Sequence, residues 1–294
     1  MKEYFRINVN KYAKNKYFNI VRPASLTTPK NNAVMFITEK HMDKADQLLK
    51  VNECLVFWPD NIEVPLQIAE KHVIVFDKAP RKAFAAFFIE NGVTNLPTLA
   101  EYDIVNGAFI EKGAVIGENC VIFPGAYIGK DVVIGENAYI ASGVKIVGDV
   151  TIGKNVVIRD NTVIGADGLT TSRNADGTAM TIPQFGGVSI GDDVQIGANV
   201  VIARGAIDNT KIARGAKIDS CSFISHNVVI GEDTFIVGET IMFGSSSTGK
   251  CVLLSGNSTV RDGVHIGDNS IVGMGAVVVK SIVPRSVVKG NPAK

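Results

Sequence analysis

Histidine is the side chain best suited to general-base catalysis near neutral pH, and this chain contains four histidines. His41 and His72 lie within the first hundred residues, and His72 begins an apolar segment, so its simplest role is structural. His265 directly precedes Ile266, and its side chain is expected to point to solvent. His226 occupies a position that Glu, Lys or Asp usually fills in this chain, so its imidazole is expected to point outward. It is either a catalytic base or a solvated surface residue.

Gly244 follows His226 by eighteen residues. This is three times the six-residue interval at which isoleucine recurs between residues 104 and 164. Residues at this separation lie one above the other if each coil of the structure contains eighteen residues. The backbone N–H of Gly244 is then accessible beside the imidazole. A general base next to an N–H donor suits acyl transfer, because the N–H stabilises the oxyanion that forms. An ordinary turn glycine is the alternative interpretation.

The repeat consists of an isoleucine at every sixth position from residue 104 to residue 164. Its members are Ile104, Ile110, Ile116, Ile122, Ile128, Ile134, Ile140, Ile146, Ile152, Ile158 and Ile164. A six-residue period fits neither an amphipathic helix nor a coiled coil, and it is typical of a parallel β-helix with three hexapeptides per coil. We therefore predict a mainly β fold, a β-helix of hexapeptide repeats in which the isoleucines point inward.

The period is interrupted at two places. Residues 165–187 have no regular aliphatic residue and are rich in glycine, so they are predicted to form a loop at one corner of the β-helix. Four extra residues follow Ile202, and Thr248 is the one poor filler among the later inward positions. The β-helix is expected to cover residues 103–283 in roughly nine coils, and the spacing does not determine its handedness.

The first hundred residues have a different pattern, which indicates a small α/β domain. Strands are predicted at Ala33–Thr38, Glu53–Trp58 and His72–Phe76, and helices at His41–Val51 and Ala79–Asn91. The second helix is predicted to have an apolar face formed by Phe84, Phe87, Phe88 and Ile89. The sequence thus predicts two domains, residues 1–100 and residues 101–294, with the seam near residues 92–102, where Leu96-Pro97-Thr98 interrupts the chain.

The composition excludes several classes of protein. The net charge is +1 and there is no long basic run, so nucleic acid is not an expected partner. No apolar stretch reaches the length of a membrane span and no signal peptide is recognisable, so a cytoplasmic protein is expected.

Metal chemistry and disulfides are also disfavoured. The β-helix region offers two histidines that lie far apart in register, whereas zinc sites of similar β-helices use three, so no metal is expected. The four cysteines are scattered and are predicted to be core thiols rather than disulfides or metal ligands; they are Cys54, Cys120, Cys221 and Cys251.

Three motifs resemble the UDP-3-O-acylglucosamine N-acyltransferase family of lipid A synthesis: VIGADG (163–168), IPQFGGVSIGDDVQIGANVVIARGAIDNT (182–210) and KIDSCSFISHNVVIGE (217–232). The resemblance implies a left-handed β-helix and a homotrimer with active sites between neighbouring subunits. It also implies that His226 is the catalytic base and that Gly244 donates to the oxyanion. Asn227 and Phe36 are the substrate-binding candidates, because Phe36 falls on an aromatic residue of the family's uridine-binding domain. Two other positions of that uracil-reading set fall on Glu39 and Met42.

The last residues, VVKGNPAK (287–294), are similar to hexapeptide acetyltransferases that act on nucleotide-linked amino sugars. That similarity implies a CoA thioester donor held by Gly290, Asn291, Pro292 and Lys294. We therefore predict an N-acyltransferase that transfers an acyl group, with acetyl-CoA as an example of the donor, to a nucleotide-linked amino sugar in surface polysaccharide synthesis. No permanently bound cofactor is expected. One alternative is a lipid A N-acyltransferase that uses acyl-carrier protein, and another is an inactive solenoid that binds a sugar nucleotide.

Overall fold

The computed structural model describes residues 2–96, 98, 100–173 and 176–294, and these form two compact units. The first unit comprises Met1–Leu96 with Leu169–Phe185, and the second comprises Pro97–Gly168 with Gly186–Lys294. The described part of the predicted loop therefore belongs mainly to the first unit, although the sequence pattern placed it in the β-helix domain. Pro97 of the predicted seam lies outside the described residues.

The second unit is a left-handed parallel β-helix with three faces. Face 1 contains Val121–Ile122, Tyr139–Ile140, Val157–Ile158, Gln195–Ile196, Lys217–Ile218, Phe235–Ile236, Leu253–Leu254, Ile271–Val272 and Val287–Val288. Face 2 contains Tyr102–Val105, Ala108–Glu111, Tyr127–Ile128, Lys145–Ile146, Val163–Ile164, Val201–Ile202, Phe223–Ile224, Ile241–Met242, Thr259–Val260 and Val277–Val278. Face 3 contains Val115–Ile116, Val132–Ile134, Val150–Ile152, Val188–Ile190, Thr210–Ile212, Val229–Ile230, Ser247–Thr248 and His265–Ile266. The predicted β-helix is confirmed.

The isoleucine repeat forms the interior of this β-helix, and it stacks in register at the predicted interval. Ile122 pairs with Ile140, which pairs with Ile158 in the next coil. From Ile128 to Ile164 every member of the repeat is at most 2% exposed. Successive coils therefore bury one continuous aliphatic column, which is the arrangement that gives solenoids their core.

The prediction for Ile104 is wrong, because this residue is 63% exposed. Its strand, Tyr102–Val105, turns back and pairs antiparallel with Ala108–Glu111, so it adds an edge to face 2 instead of forming a coil. The parallel coils begin only after this hairpin, and the sixfold spacing alone does not distinguish a hairpin strand from a coil.

Thr248 is buried as an inward residue in spite of its hydroxyl group. Its Oγ1 accepts a hydrogen bond of 3.0 Å from the backbone N–H of Gly231. A buried hydroxyl is tolerated when it is hydrogen bonded, so the column continues through this position.

Two of the four cysteines contradict the prediction of core thiols, since Cys221 and Cys251 are exposed. Both have positive φ angles, 62° and 55°, at corners of the β-helix, where the side chain points to solvent. Cys54 is buried, and Cys120 is partly buried against the aliphatic column. All four are free thiols.

The first unit contains a parallel sheet of Arg22–Pro23, Ala33–Phe36, Leu55–Pro59 and Val73–Asp77. Two antiparallel hairpins accompany the sheet, Ile7–Asn8 with Asn19–Ile20 and Thr171–Arg173 with Ala179–Thr181. The α-helices are Leu66–Lys71 and Pro80–Glu90, and the 3₁₀ segments are Val9–Lys11 and Glu39–Lys50, the latter kinked at His41.

The predicted α/β pattern of the first unit is confirmed, with differences in detail. The helix Leu66–Lys71 and the first hairpin were not predicted from the sequence. Phe84, Phe87 and Phe88 are buried, but Ile89 is 53% exposed and does not belong to the predicted apolar face. No helix in the described part of the chain is long and apolar enough to cross a membrane.

Candidate active site

The two interruptions of the hexapeptide period both occur at one corner of the β-helix, the turn from face 2 to face 3. The chain leaves this corner after Ile164 and returns at Val188, and the four extra residues after Ile202 lie in the next coil. His226 occupies the same corner one coil further, after Phe223–Ile224. Loops that depart from a regular scaffold are common places for function, and the predicted base shares this corner with the points where the insertion leaves and rejoins the β-helix.

The His226 imidazole lies between two glycines from different coils. A Cβ atom placed on Gly168 would lie 2.8 Å from the His226 Cβ atom, and one placed on Gly244 would lie 2.6 Å from Nε2. A Cβ atom at either position would therefore force the His226 side chain or its neighbour to shift. The imidazole is therefore half-buried and packed on both sides, rather than being a freely solvated corner residue.

Asn227 orients the imidazole through its side-chain amide. Its Oδ1 accepts the N–H of Ala206 at 3.0 Å, and its Nδ2 donates to the carbonyl oxygen of Asp208 at 2.7 Å. These two bonds determine which amide atom faces His226, and Oδ1 lies 3.1 Å from Nδ1. An amide oxygen only accepts, so Nδ1 is the donor of this bond, and in the neutral imidazole the lone pair is on Nε2.

The backbone of Gly244 lies on the Nε2 side of this imidazole. Its carbonyl oxygen accepts from the N–H of Gly263, whereas its own N–H has no acceptor among the described residues. The Gly244 backbone therefore packs against the Nε2 edge of the imidazole, and the two residues stay the predicted oxyanion donor and general base. The stacking predicted from the eighteen-residue interval thus places His226 and Gly244 side by side.

Asp167 lies next to Gly168 at the edge of this arrangement. Its carboxylate is 3.8 Å from the Nη1 atom of the buried Arg204. Partial burial raises the pKa of the Asp167 carboxyl group, and the positive charge of Arg204 opposes that rise. Arg204 has no role in the sequence-based prediction, although it belongs to one of the quoted motifs.

His265 lies outside this corner, on face 3. It is exposed, as expected, and its Nδ1 is 2.9 Å from the hydroxyl oxygen of Ser247. Among the residues that the structure describes, no group of three His, Cys, Asp or Glu side chains could hold a metal ion.

In the first unit, a cavity of about 500 Å³ lies at the carboxyl ends of the parallel strands. Its basic lining residues are Lys40, Lys78, Arg81 and Lys82, the last two in the first turn of the helix Pro80–Glu90. Open parallel sheets bind ligands at this edge, and a helix N-terminus favours anions. The run KAPRK (78–82) directly after a strand was the signal in the sequence, and the sequence-based prediction did not use it.

Phe36 ends a strand of the same sheet and is partly buried. Its ring lies 5.0 Å from that of Phe84, centroid to centroid. It is not among the residues that line the cavity. Its predicted role in binding the substrate stays a prediction.

The C-terminal residues close the last coil. Ala293 donates its N–H to Val277 at 2.8 Å, and Val277 donates to Gly290 at 3.0 Å. Gly290, Asn291, Pro292 and Lys294 are exposed. On face 2 this end is three coils from Ile224, or about 14 Å at the usual strand spacing, so these residues do not meet His226 directly.

A second cavity, of about 560 Å³, lies on face 1 of the β-helix. Its lining includes Arg159, Lys217 and Phe235. It opens at the corner between face 1 and face 2, whereas His226 is at the corner between face 2 and face 3. This cavity therefore does not contain the candidate base.

The chain matches two hexapeptide-repeat models. "Bacterial transferase hexapeptide (six repeats)" matches residues 113–148 and 131–166, and "Hexapeptide repeat of succinyl-transferase" matches residues 179–205 and 249–280. Both models describe the repeat that forms the faces of the β-helix.

Two curated relatives are named UDP-3-O-acylglucosamine N-acyltransferase. The protein from Helicobacter hepaticus is 38% identical over 132 residues, which are 45% of this chain and 40% of the relative. The protein from Coxiella burnetii (strain Dugway 5J108-111) is 41% identical over 126 residues, which are 42% of this chain and 36% of the relative. The chain thus spans about two-fifths of the length of these relatives, and the resemblance predicted from the motifs is confirmed.

Solved structures with the same fold include a UDP-N-acetylglucosamine acyltransferase from Campylobacter jejuni. It has a TM-score of 0.59 and 25% identity, covering 65% of this chain and 73% of that chain. A UDP-N-acetylglucosamine O-acyltransferase from Moraxella catarrhalis has a TM-score of 0.59 and 26% identity, covering 64% of this chain and 71% of that chain. Both similarities cover about two-thirds of this chain.

Proposed function

We propose that the protein is an N-acyltransferase that acylates the amino group of a UDP-linked glucosamine derivative. The observation that carries the proposal is the His226 imidazole, which is held by Asn227 at Nδ1 and packs at Nε2 against Gly244, whose N–H has no acceptor among the described residues. The acceptor is taken from the names of the curated relatives. These names support the lipid A type of reaction more than acetylation in surface polysaccharide synthesis, which was the first expectation.

In the proposed reaction, the amine of the acceptor attacks the carbonyl carbon of a thioester. The Nε2 atom of His226 takes the proton that the amine loses as the new C–N bond forms. The Gly244 N–H donates to the oxyanion of the tetrahedral intermediate. The intermediate collapses by breaking the C–S bond, and the departing thiolate takes the proton from the imidazolium. The products are an amide and a thiol, and the imidazole is neutral again.

The cavity in the first unit supports recognition of the nucleotide. Lys78, Arg81 and Lys82 place positive charge at a helix N-terminus, which suits a diphosphate group. Phe36 ends a strand of the same sheet and stays the candidate for contact with the base. We propose that this unit binds the UDP moiety.

The donor is anionic in either form of the reaction, as a CoA thioester or an acidic acyl-carrier protein. Residues 250–294 have six basic and two acidic side chains, and the exposed basic residues are Lys250, Arg261, Lys280, Arg285, Lys289 and Lys294. Charge of this sign attracts both donors. Gly290, Asn291, Pro292 and Lys294 support the CoA form, and the curated relatives support the lipid A alternative, to which acyl-carrier protein belongs.

We also propose that the active molecule is a homotrimer, as the resemblance implies. His226 is only half-buried within one β-helix, so a neighbouring subunit would complete a cleft around it. Sedimentation analysis would test this directly, and a purely monomeric active enzyme would contradict it.

The function is tested by turnover with UDP-linked amino sugars, each offered acetyl-CoA and a long-chain acyl-carrier protein. We expect amide formation with a UDP-linked glucosamine and a fall of about 10²- to 10⁴-fold in kcat for His226→Ala. His265→Ala is the matched control and should retain activity. Turnover with acetyl-CoA alone would restore the first expectation. Tight binding of UDP-sugars without any turnover would instead indicate an inactive binding protein.

A further inference from the structure

We propose that Arg204 is a positioning residue that holds the neck of the insertion and thereby keeps Gly168 packed against His226. The neck is defined as Gly165–Gly168, where the chain leaves the β-helix, and Gly186–Gly187, where it returns. This inference rests on the proposed role of His226 as the catalytic base.

Arg204 contacts both ends of the neck. Its backbone N–H donates to the carbonyl oxygen of Ala166 at 2.9 Å, and its side-chain Nε donates to the carbonyl oxygen of Gly186 at 2.6 Å. Its Nη1 atom lies 3.8 Å from the carboxylate of Asp167. Arg204 thus connects the segment of the neck that leaves the β-helix with the segment that returns to it.

The guanidinium group of Arg204 is buried, with only 9% of the side chain exposed. Removing this charge from water is costly unless it is paired and hydrogen bonded. The Gly186 carbonyl and the Asp167 carboxylate provide that compensation. A neck arrangement that moved the Gly186 carbonyl away would leave the buried Nε–H of Arg204 unsatisfied, so the arginine favours the arrangement observed.

The neck has little space in which to move. A Cβ atom on Gly165 would collide with the carbonyl oxygen of Val147, and one on Gly187 would collide with that of Asp149. Both ends of the neck are therefore in close contact with the backbone of the coil below. Arg204 contacts the neck from the opposite side, because it lies in the next coil.

Gly168 is the end of the neck that touches the catalytic group. A Cβ atom placed on it would lie 2.8 Å from the His226 Cβ and 3.2 Å from Cδ2. If the neck loosens, the imidazole loses its packing on this side and Nε2 moves relative to the Gly244 N–H. A displacement of about 1 Å at a reacting group can cost about 10²-fold in rate.

Lysine cannot reproduce this arrangement. The guanidinium presents several donors in a fixed plane, so Nε and Nη1 reach the Gly186 carbonyl and the Asp167 carboxylate at once. An ammonium group is a single flexible point charge and would satisfy one partner at a time.

The test compares Arg204→Met and Arg204→Lys with the parent protein and with Arg214→Met. Arg214 is a control in the same β-helix, where it makes only exposed ion pairs with Glu232 and Asp233. The first measurement is the rate at which diethyl pyrocarbonate modifies His226, read by mass spectrometry against His265 as the internal reference. The second is kcat and KM for the acceptor.

We expect both Arg204 variants to show a severalfold faster modification of His226 relative to His265. We also expect kcat to fall by about 10- to 100-fold, while KM for the acceptor changes little. Arg214→Met should match the parent in both measurements. A residue that only stabilises the fold would lower the melting temperature without changing the relative reactivity of the two histidines in the folded protein.

A folded Arg204→Met protein with parental His226 reactivity and parental kcat would overturn the proposal. If Arg204→Met does not fold, Arg204→Lys decides in the same way. The modification experiment needs no substrate. The Arg204 variants can therefore show a changed His226 reactivity even if the parent protein has no turnover. That result would refute the proposed function and leave the positioning role of Arg204 intact.

Discussion

The Nδ1 atom of His226 lies 3.1 Å from the Oδ1 atom of Asn227, the next residue in the chain. Neighbouring side chains on an extended strand point to opposite faces. Here Asn227 has a φ of 60°, in the left-handed region that asparagine tolerates, and the turn brings both side chains to the same side. The same conformation that closes the corner therefore also orients the imidazole.

The first prediction concerns Asn227→Asp. A carboxylate at this distance from Nδ1 stabilises the protonated imidazole, so more of the base is blocked at low pH. The acid limb of the kcat/KM profile should move to higher pH by about one unit. Asn257→Asp is the control, because Asn257 has a φ of 55° at a corner without a histidine. Identical pH profiles for the two variants would show that Asn227 does not act on His226.

The second prediction concerns Gly244→Ala. The added methyl group would lie 2.6 Å from Nε2 and Cε1 of His226, so the imidazole must shift even though the backbone N–H remains. We expect kcat to fall by about 10²-fold. At Gly256 the nearest atom to an added Cβ lies at 3.4 Å, so Gly256→Ala should keep parental activity. Steady-state kinetics decide, and full activity of Gly244→Ala would contradict the packing described here.

The third prediction compares two isoleucines of one repeat. Ile140 is fully buried, so Ile140→Asp places a carboxylate in the aliphatic column without a partner, at a cost of several kcal/mol. Ile104 is 63% exposed, so Ile104→Asp should change the free energy of unfolding by about 0.5 kcal/mol or less. Urea unfolding of both variants measures the difference. Equal losses would mean that the hairpin at residue 104 is not formed.

The fourth prediction is a loss of stability at acidic pH through His72. This buried imidazole accepts the Cys54 N–H at Nδ1 and donates from Nε2 to the Leu48 carbonyl, so it is held neutral. Burial lowers its pKa below the ordinary 6.5. Below that pH the unfolded state binds the proton first, so the stabilisation is complete above pH 6.5 and is lost as the pH falls through the pKa of the folded state.

The measurement is the melting temperature between neutral pH and pH 5 for the parent and for His72→Gln. The glutamine variant has no imidazole to protonate, so its curve should be flatter over this range. Parallel curves would assign the acid sensitivity to other groups. His41→Gln is a suitable control, because His41 is exposed.

The sequence by itself determined the β-helix and the pairing of His226 with Gly244. Both follow from a local period, since six residues form one face and eighteen form one coil. This spacing does not depend on the structure of the other parts of the chain. The inward isoleucines from Ile128 to Ile164 were predictable for the same reason. The motifs added the expected role of His226, which the period does not contain.

Only the tertiary structure decided the features that do not follow from the hexapeptide repeat. Ile104 matches the repeat, yet it lies in an antiparallel hairpin. Cys221 and Cys251 occupy corner positions with positive φ angles, and their side chains point to solvent. The contacts of Asn227 with the extra residues of the corner, and of Arg204 with both ends of the insertion, join parts of the chain that follow no common spacing. Such contacts depend on where an irregular segment returns, and that is determined by the packing of its glycines and buried polar groups rather than by the hexapeptide pattern.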